Sequence, residues 1–261
     1  VSETMEDYAA SMSVKNLSQY LSAYYNKKVI LLLDEYDTPM QEAYMNGYWK
    51  ELTEFLRGIF NSSFKTNPYM ERALLIGITR VSKESIFSDL NNLVVVTTTS
   101  GKYADCFGFT EKEVFAALDE YGSSDRKEKV KDWYDGFIFG NIGDIYNPWS
   151  ITNYLSEKKL KTYWANTSSN SLVSKLIREG NRTVKMNFEQ LLQGKTILMY
   201  LDEQIIFEQL DRKESAVWSL LLASGYLKVL HYLIDEESGR ERYELALTNK
   251  EVRIMFEGMI R

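Results

Sequence analysis

Two adjacent acids, Asp34 and Glu35, end the most distinctive stretch of this sequence, Val29-Ile-Leu-Leu-Leu-Asp-Glu-Tyr-Asp-Thr-Pro39. Carboxylates placed this way can divide the work of nucleotide hydrolysis. The first helps to hold Mg2+ through coordinated water, because that ion takes few protein oxygens and completes its shell with water and substrate phosphates. The second orients or deprotonates the attacking water as a general base. The same residues also suit a plainer role, a buried strand ending in a solvated acidic turn, with Asp37 and Pro39 supplying the turn chemistry.

The elements around the two acids decide where they stand. Five apolar residues after Lys27-Lys28 predict a strand buried on both faces, as in the centre of a parallel α/β sheet. Ligands of such sheets bind at the carboxyl edge, where Asp34 and Glu35 fall. Upstream, Met5, Tyr8, Ala9, Met12, Leu17, Tyr20, Leu21 and Tyr24 repeat at helical spacing and predict one amphipathic helix over about 4–26. Downstream, Trp49, Leu52, Phe55, Leu56, Ile59 and Phe60 share a helical face that Asn67-Pro68 closes. Further strands are predicted over 73–78, ending in Thr79-Arg80, and over 93–98. Such alternation implies βαβ units.

Beyond residue 110 the signals change. Thr110-Glu-Lys-Glu113 matches a capping box, 124–134 reads as a charged surface helix, and Gly136, Gly140 and Gly143 read as loops. Asn147 caps a helix opened by Pro148. Small helices follow from about 170, then a strand over 197–201. A helix over 215–223, strands over 226–234 and 242–247, and a helix from Asn249 complete a winged-helix-like succession.

Composition narrows the chemistry. The 261 residues carry 37 acids against 31 bases, a net charge of −6, which argues against broad electrostatic binding of nucleic acid. One cysteine, Cys106, excludes an intrachain disulfide and reads as a small buried hydrophobe. The acidic start lacks a signal-peptide pattern and no apolar run spans a bilayer, so a cytoplasmic protein without membrane contact is expected. One histidine, His231, and one cysteine leave no zinc set, and no G-x-S-x-G occurs. Gly194-Lys195-Thr196 has Glu189 where a phosphate loop needs its first glycine, and it follows a helix, so it reads as a helix C-cap. Glu157-Lys158-Lys159 reads as a solvated helix end. The aromatic groups Trp133-Tyr134, Tyr146, Trp149 and Tyr163-Trp164 read as core.

The segment Asp-Glu-Tyr-Asp-Thr-Pro resembles the Walker B region of the predicted AAA-ATPase-like family, a bacterial branch of the P-loop NTPases. So do Gly77-Ile-Thr-Arg-Val-Ser-Lys-Glu-Ser-Ile-Phe-Ser-Asp-Leu-Asn-Asn-Leu93, Phe107-Gly-Phe-Thr-Glu-Lys-Glu-Val114, Trp133-Tyr-Asp-Gly-Phe137, Tyr146-Asn-Pro-Trp-Ser150 and Tyr163-Trp-Ala-Asn-Thr167, in family order. The resemblance implies an α/β fold: an incomplete parallel-sheet P-loop NTPase core over 1–135, a helical lid over 136–201 and a winged-helix-like module over 202–261. It implies ATP and Mg2+ as ligands, Asp34 at the metal position, Glu35 at the water-activating position, and Thr79 and Arg80 where the γ-phosphate is sensed. An Arg80 paired with Asp34, Glu35 or Asp37 fits the same position. No Walker A loop, G-x-x-x-x-G-K-[ST], occurs in the sequence. With a first residue other than Met, this raises the expectation of a piece of a longer protein, inactive alone as an ATPase. The alternative is a non-enzymatic scaffold or protein-interaction module that keeps the NTPase shape. A nuclease-like module, frequent in the family, is expected to lie beyond these residues.

Overall fold

A computed structural model describes residues 6–78, 90, 93–166, 171–201, 213–237 and 239–260. These residues group into two compact units, one up to Val94 and one from Val95 onward.

In the first unit the predicted N-terminal helix is two helices, α1 (Asp7–Ser11) and α2 (Ser13–Tyr25). At the join, the Ser62 hydroxyl donates to the Ser11 carbonyl at 2.5 Å. The residue that α2 buries is Ser18, whose hydroxyl donates to the Val14 carbonyl at 2.7 Å and accepts from the Asn67 amide at 3.2 Å. Leu17, Tyr20, Leu21 and Tyr24 lie on the exposed side instead. Strand β1 (Val29–Leu33) leads to α3 (Thr38–Asn46) and α4 (Trp49–Phe60). Helix α4 buries Thr53, Leu56 and Phe60 and runs into a π-helical turn at Asn61–Lys65.

Strand β2 (Met70–Leu75) pairs with β1 in parallel, from Ile30 opposite Arg72 to Leu33 opposite Leu75. The expected parallel pairing is present. Burial on both faces is not: Leu32 is 74% exposed, and Ile30, Leu74 and Ile76 also face outward. Successive side chains of a strand point to opposite faces, and among the described residues only one face of this pair is covered. The β-branched run at 93–97 forms no strand and leaves Val94 74% exposed. Strand propensity needs a pairing partner to express itself, and this run has none among the described residues.

The second unit holds two antiparallel sheets. Strands β3 (Phe109–Thr110), β4 (Asp135–Phe139) and β5 (Ile142–Tyr146) pair in the order β3-β5-β4. Strands β6 (Ile197–Met199), β7 (Leu227–Ile234) and β8 (Glu241–Leu247) pair as β6-β8-β7. The helices are α5 (Glu111–Glu120), α6 (Lys127–Tyr134), α7 (Pro148–Glu157), α8 (Ser171–Glu179), α9 (Arg182–Leu192), α10 (Glu214–Ala223) and α11 (Lys250–Ile260). No helix among the described residues is long and apolar enough to cross a membrane.

Local signals placed several of these elements. The Thr110 side chain accepts the Glu113 amide while Glu113 accepts the Thr110 amide at 2.8 Å, a complete capping box. Asn147 accepts the Trp149 and Ser150 amides at 2.9 and 3.2 Å. Three expectations fail. Residues 135–146 are a hairpin turned at Gly140-Asn141 rather than loops; Gly-Asn between apolar strands is a recognisable hairpin signal. Gly136 has φ +137° and sits where a Cβ would lie 1.9 Å from the Thr248 carbonyl oxygen, so it permits close packing within β4. Helix α6 is not only surface, since Val130 and Tyr134 are buried. Cys106 is exposed.

The core of this unit gathers Val114, Leu118, Val130, Tyr134, Tyr146, Ile151 and Tyr154, with Trp133 and Tyr163 packed against it. The aromatic groups are therefore core, Trp149 excepted, which is exposed. Two acids are built into this apolar surrounding. Glu251 is 0% exposed. It accepts the Ser150 hydroxyl at 2.7 Å and the Tyr163 and Ala165 amides at 2.5 and 3.4 Å, joining α11 to α7 and to 163–165. Burial raises its pKa, and the hydrogen bonds oppose that rise. Asp135, opposite Tyr146 on β5, is pushed up to about 6 by burial and then by the Asp144 carboxylate, against the Lys131 and Lys228 cations.

Two stability measurements follow from these acids. Above pH 6 native Asp135 is charged at a cost that the unfolded chain escapes; below pH 4 both states are neutral there. Asp135→Asn should therefore raise stability at pH 7 by about 1–2 kcal/mol after solvent screening, with the gain vanishing as pH falls through 6 towards 4 in urea titrations. Glu251→Ala strands the Ser150 hydroxyl and the backbone donors of 163–165 and should cost about 2–4 kcal/mol in the same assay.

Candidate functional site

The carboxyl end of β1 is held to that of β2 by its own backbone. The Ile76 amide donates to the Leu33 carbonyl at 2.9 Å and the Tyr36 amide to the Ile76 carbonyl at 3.1 Å. Between these two bonds the chain places its adjacent acids. Both are exposed. Asp34 accepts the Glu35 amide on Oδ1 at 3.0 Å. Glu35 accepts the Thr38 hydroxyl on Oε2 at 3.3 Å and has φ +50°, in the left-handed region. A non-glycine residue there costs about 1 kcal/mol or more and persists only where its surroundings hold it.

Asp37 does the holding. It is 1% exposed. Its two carboxylate oxygens lie 3.3 and 3.1 Å from the Ile78 amide, and Oδ2 accepts the Gln41 side-chain amide at 3.5 Å. Its carbonyl accepts the Met40 and Gln41 amides at 3.0 Å and opens α3, with Pro39 in the first turn. Gly77 makes room for this carboxylate: a Cβ there would sit 2.5 Å from Asp37 Oδ1 and 2.7 Å from the Tyr36 ring. The sequence marked Asp37 as a turn residue and gave no hint of its bond to the end of β2, 41 residues away.

Of the three acids, then, one is committed to structure and two face outward. Among the described residues no group of three or more His, Cys, Asp or Glu side chains is placed to hold a metal. That donor set fits Mg2+, which needs one or two carboxylates and takes its other oxygens from water and phosphates. Thr79 and Arg80 lie outside the described residues.

Other candidate residues fall elsewhere. The Gly194 amide donates to Leu191 O and the Lys195 amide to Gln190 O, both at 3.0 Å, and Gly194 has φ +79°. Gly194-Lys195-Thr196 is the expected helix C-cap, with the Gly194 and Lys195 amides spent on that cap. His231 lies exposed on β7, an edge strand. Glu157 pairs with Lys161 at 2.5 Å, and Lys158 ends α7.

Asp37→Ala removes a buried carboxylate that accepts the Ile78 amide and the Gln41 side chain, and should destabilise the chain by about 1–2 kcal/mol, whereas Asp34→Ala, at an exposed position, should stay within about 0.5 kcal/mol of the parent in denaturant unfolding. Gly77→Ala should resemble Asp37→Ala, since its methyl group displaces the same carboxylate.

A family model described as "Predicted AAA-ATPase" matches residues 1–87. The chain is also similar to the "Uncharacterized protein in vnfD 5'region" of Azotobacter chroococcum mcd 1, at 27% identity over 229 residues, which covers 87% of this chain and 42% of that protein. The chain thus spans about two fifths of the length of the curated relative it matches. No solved structure matches. Residues 1–87, which contain β1, its two exposed acids and the Asp37 clamp, match the AAA-ATPase-like family.

Proposed function

We propose that the carboxyl end of β1 is half of an ATP-hydrolysing site in a P-loop NTPase core. Asp34 would hold Mg2+ through coordinated water, and Glu35 would orient and deprotonate the water that attacks the γ-phosphate. The observation that carries this reading is the division of labour among neighbouring acids. Asp37 is buried and fully engaged, while Asp34 and Glu35 are exposed at the strand edge where α/β sheets bind ligands. The left-handed backbone at Glu35 supports it, because strain of this kind gathers at functional sites. The match over residues 1–87 supports the nucleotide class.

The other half of such a site is a G-x-x-x-x-G-K-[ST] loop whose amides cradle phosphates. These 261 residues contain none, so we propose that the loop is supplied by further sequence and that residues 1–261 alone do not turn over ATP. Thr79 and Arg80 are assigned to γ-phosphate sensing, and 136–201 to a lid. The α10–β7–β8–α11 succession is read as a winged-helix-like end that does not grip nucleic acid. All seven residues from Ala216 to Leu222 of α10 are buried, which leaves that helix little face for a groove.

In a full-length chain that carries the loop, Glu35→Gln should lower kcat for Mg2+-dependent ATP hydrolysis about a hundredfold or more with ATP still bound, and Asp34→Ala should weaken Mg2+-ATP binding. Undiminished turnover in Glu35→Gln sinks the assignment. For residues 1–261, calorimetric titration with a non-hydrolysable ATP analogue and Mg2+ should show no saturable binding, and incubation with ATP and Mg2+ no turnover; ATP hydrolysis by this segment that disappears in Glu35→Gln refutes the half-site.

A further inference from the structure

The second unit contains a cavity of about 260 Å³ between the end of α9, the end of β8, the start of α11 and one residue of α6. Three cations line it, Lys195, Lys250 and Arg253, against one carboxylate, Asp132. On a chain of net charge −6 this is a local concentration of positive charge. Lys250 donates to Asp132 Oδ2 at 2.8 Å and lies 5.4 Å from the centre of the Trp133 ring, which fixes its position and accounts for the carboxylate. The two other cations are less satisfied. Arg253 Nε is 3.7 Å from Glu257 Oε1, beyond hydrogen-bond reach, and this buried nitrogen has no hydrogen-bond partner among the described residues. Lys195 spends its amide on the C-cap of α9 while its side chain, exposed, has no ion-pair partner among them. The amino end of α11, where Asn249 accepts the Val252 amide at 3.0 Å, adds the positive end of a helix dipole.

We infer that this cavity is a binding site for a small phosphate-bearing molecule, gripped by Lys195 and Arg253 with Lys250 held behind them by Asp132. A guanidinium fork and an ammonium point charge together suit a phosphate monoester. The volume lies below the usual range for drug-sized ligands and fits a phosphate with a few further atoms. The recognition is by side chains and owes nothing to a phosphate loop, since the amides of Gly194 and Lys195 are bonded within the chain. All its lining residues belong to the second unit, whereas Asp34 and Glu35 belong to the first.

The test is calorimetric titration of residues 1–261 at fixed ionic strength without Mg2+, using orthophosphate, pyrophosphate and glycerol 3-phosphate in turn, with sodium sulfate as the comparison anion. Saturable one-to-one binding is expected for at least one phosphate probe, and the probe bound most tightly separates free phosphate from a phosphate monoester as the source. Lys195→Gln and Arg253→Gln should each weaken it tenfold or more, Arg253→Lys should recover part of the loss, and Asp34→Ala should bind as the parent does. Lys195 is exposed, so its variant keeps the fold, which thermal unfolding of each protein verifies. No saturable binding, equal binding of sulfate, binding unchanged in both glutamine variants, or loss of binding in Asp34→Ala overturns the site.

Discussion

The carboxylate of Asp37 is the contact on which the geometry at the end of β1 depends. Buried and bonded to the Ile78 amide, it ties the loop after β1 to the end of β2 across a sequence distance of 41 residues. The loop can then hold Glu35 in a left-handed conformation, because the positions on either side of it are fixed. The cost of burying that carboxylate is offset by the donors it meets, the Ile78 amide and the Gln41 side chain. The two exposed acids make local hydrogen bonds, to the Glu35 amide and the Thr38 hydroxyl, within the loop after β1.

The second unit applies the same principle to its core. Glu251 meets hydroxyl and amide donors from α7 and from 163–165, so an acid with no exposed surface knits segments that are about a hundred residues apart. Asp135 is the less complete case. It sits half-buried near Asp144, with Lys131 and Lys228 as counter-charges, and retains an elevated proton affinity. The contrast shows how hydrogen bonding to the charged form offsets desolvation where it is available.

Gly194-Lys195-Thr196 shows how a motif's backbone and side chains can part company. The Gly194 and Lys195 amides close a helix, which removes them from phosphate binding in the manner of a P-loop, yet Lys195 lines a cavity that Arg253 and Lys250 also line. A three-residue match in sequence says nothing about which half of the motif is free. Only the neighbours brought by β8 and α11 decide that.

The sequence by itself determined the elements governed by local chemistry. The Thr110–Glu113 capping box, the Asn147 cap before Pro148, the parallel strand ending at Asp34-Glu35, and the helix, hairpin and helix after residue 213 are all set by residues within a few positions of one another. Tyr134 is buried as its aromatic cluster predicts, and Gly140-Asn141 carries a local hairpin signal between its apolar strands. Tertiary structure alone decided that Leu32 points outward, that 93–97 is not a strand and that Asp37 is a clamp. The physical reason is the same in each case: apolar periodicity and β-propensity state that a surface can be buried, whereas burial itself is set by which distant segment arrives to cover it.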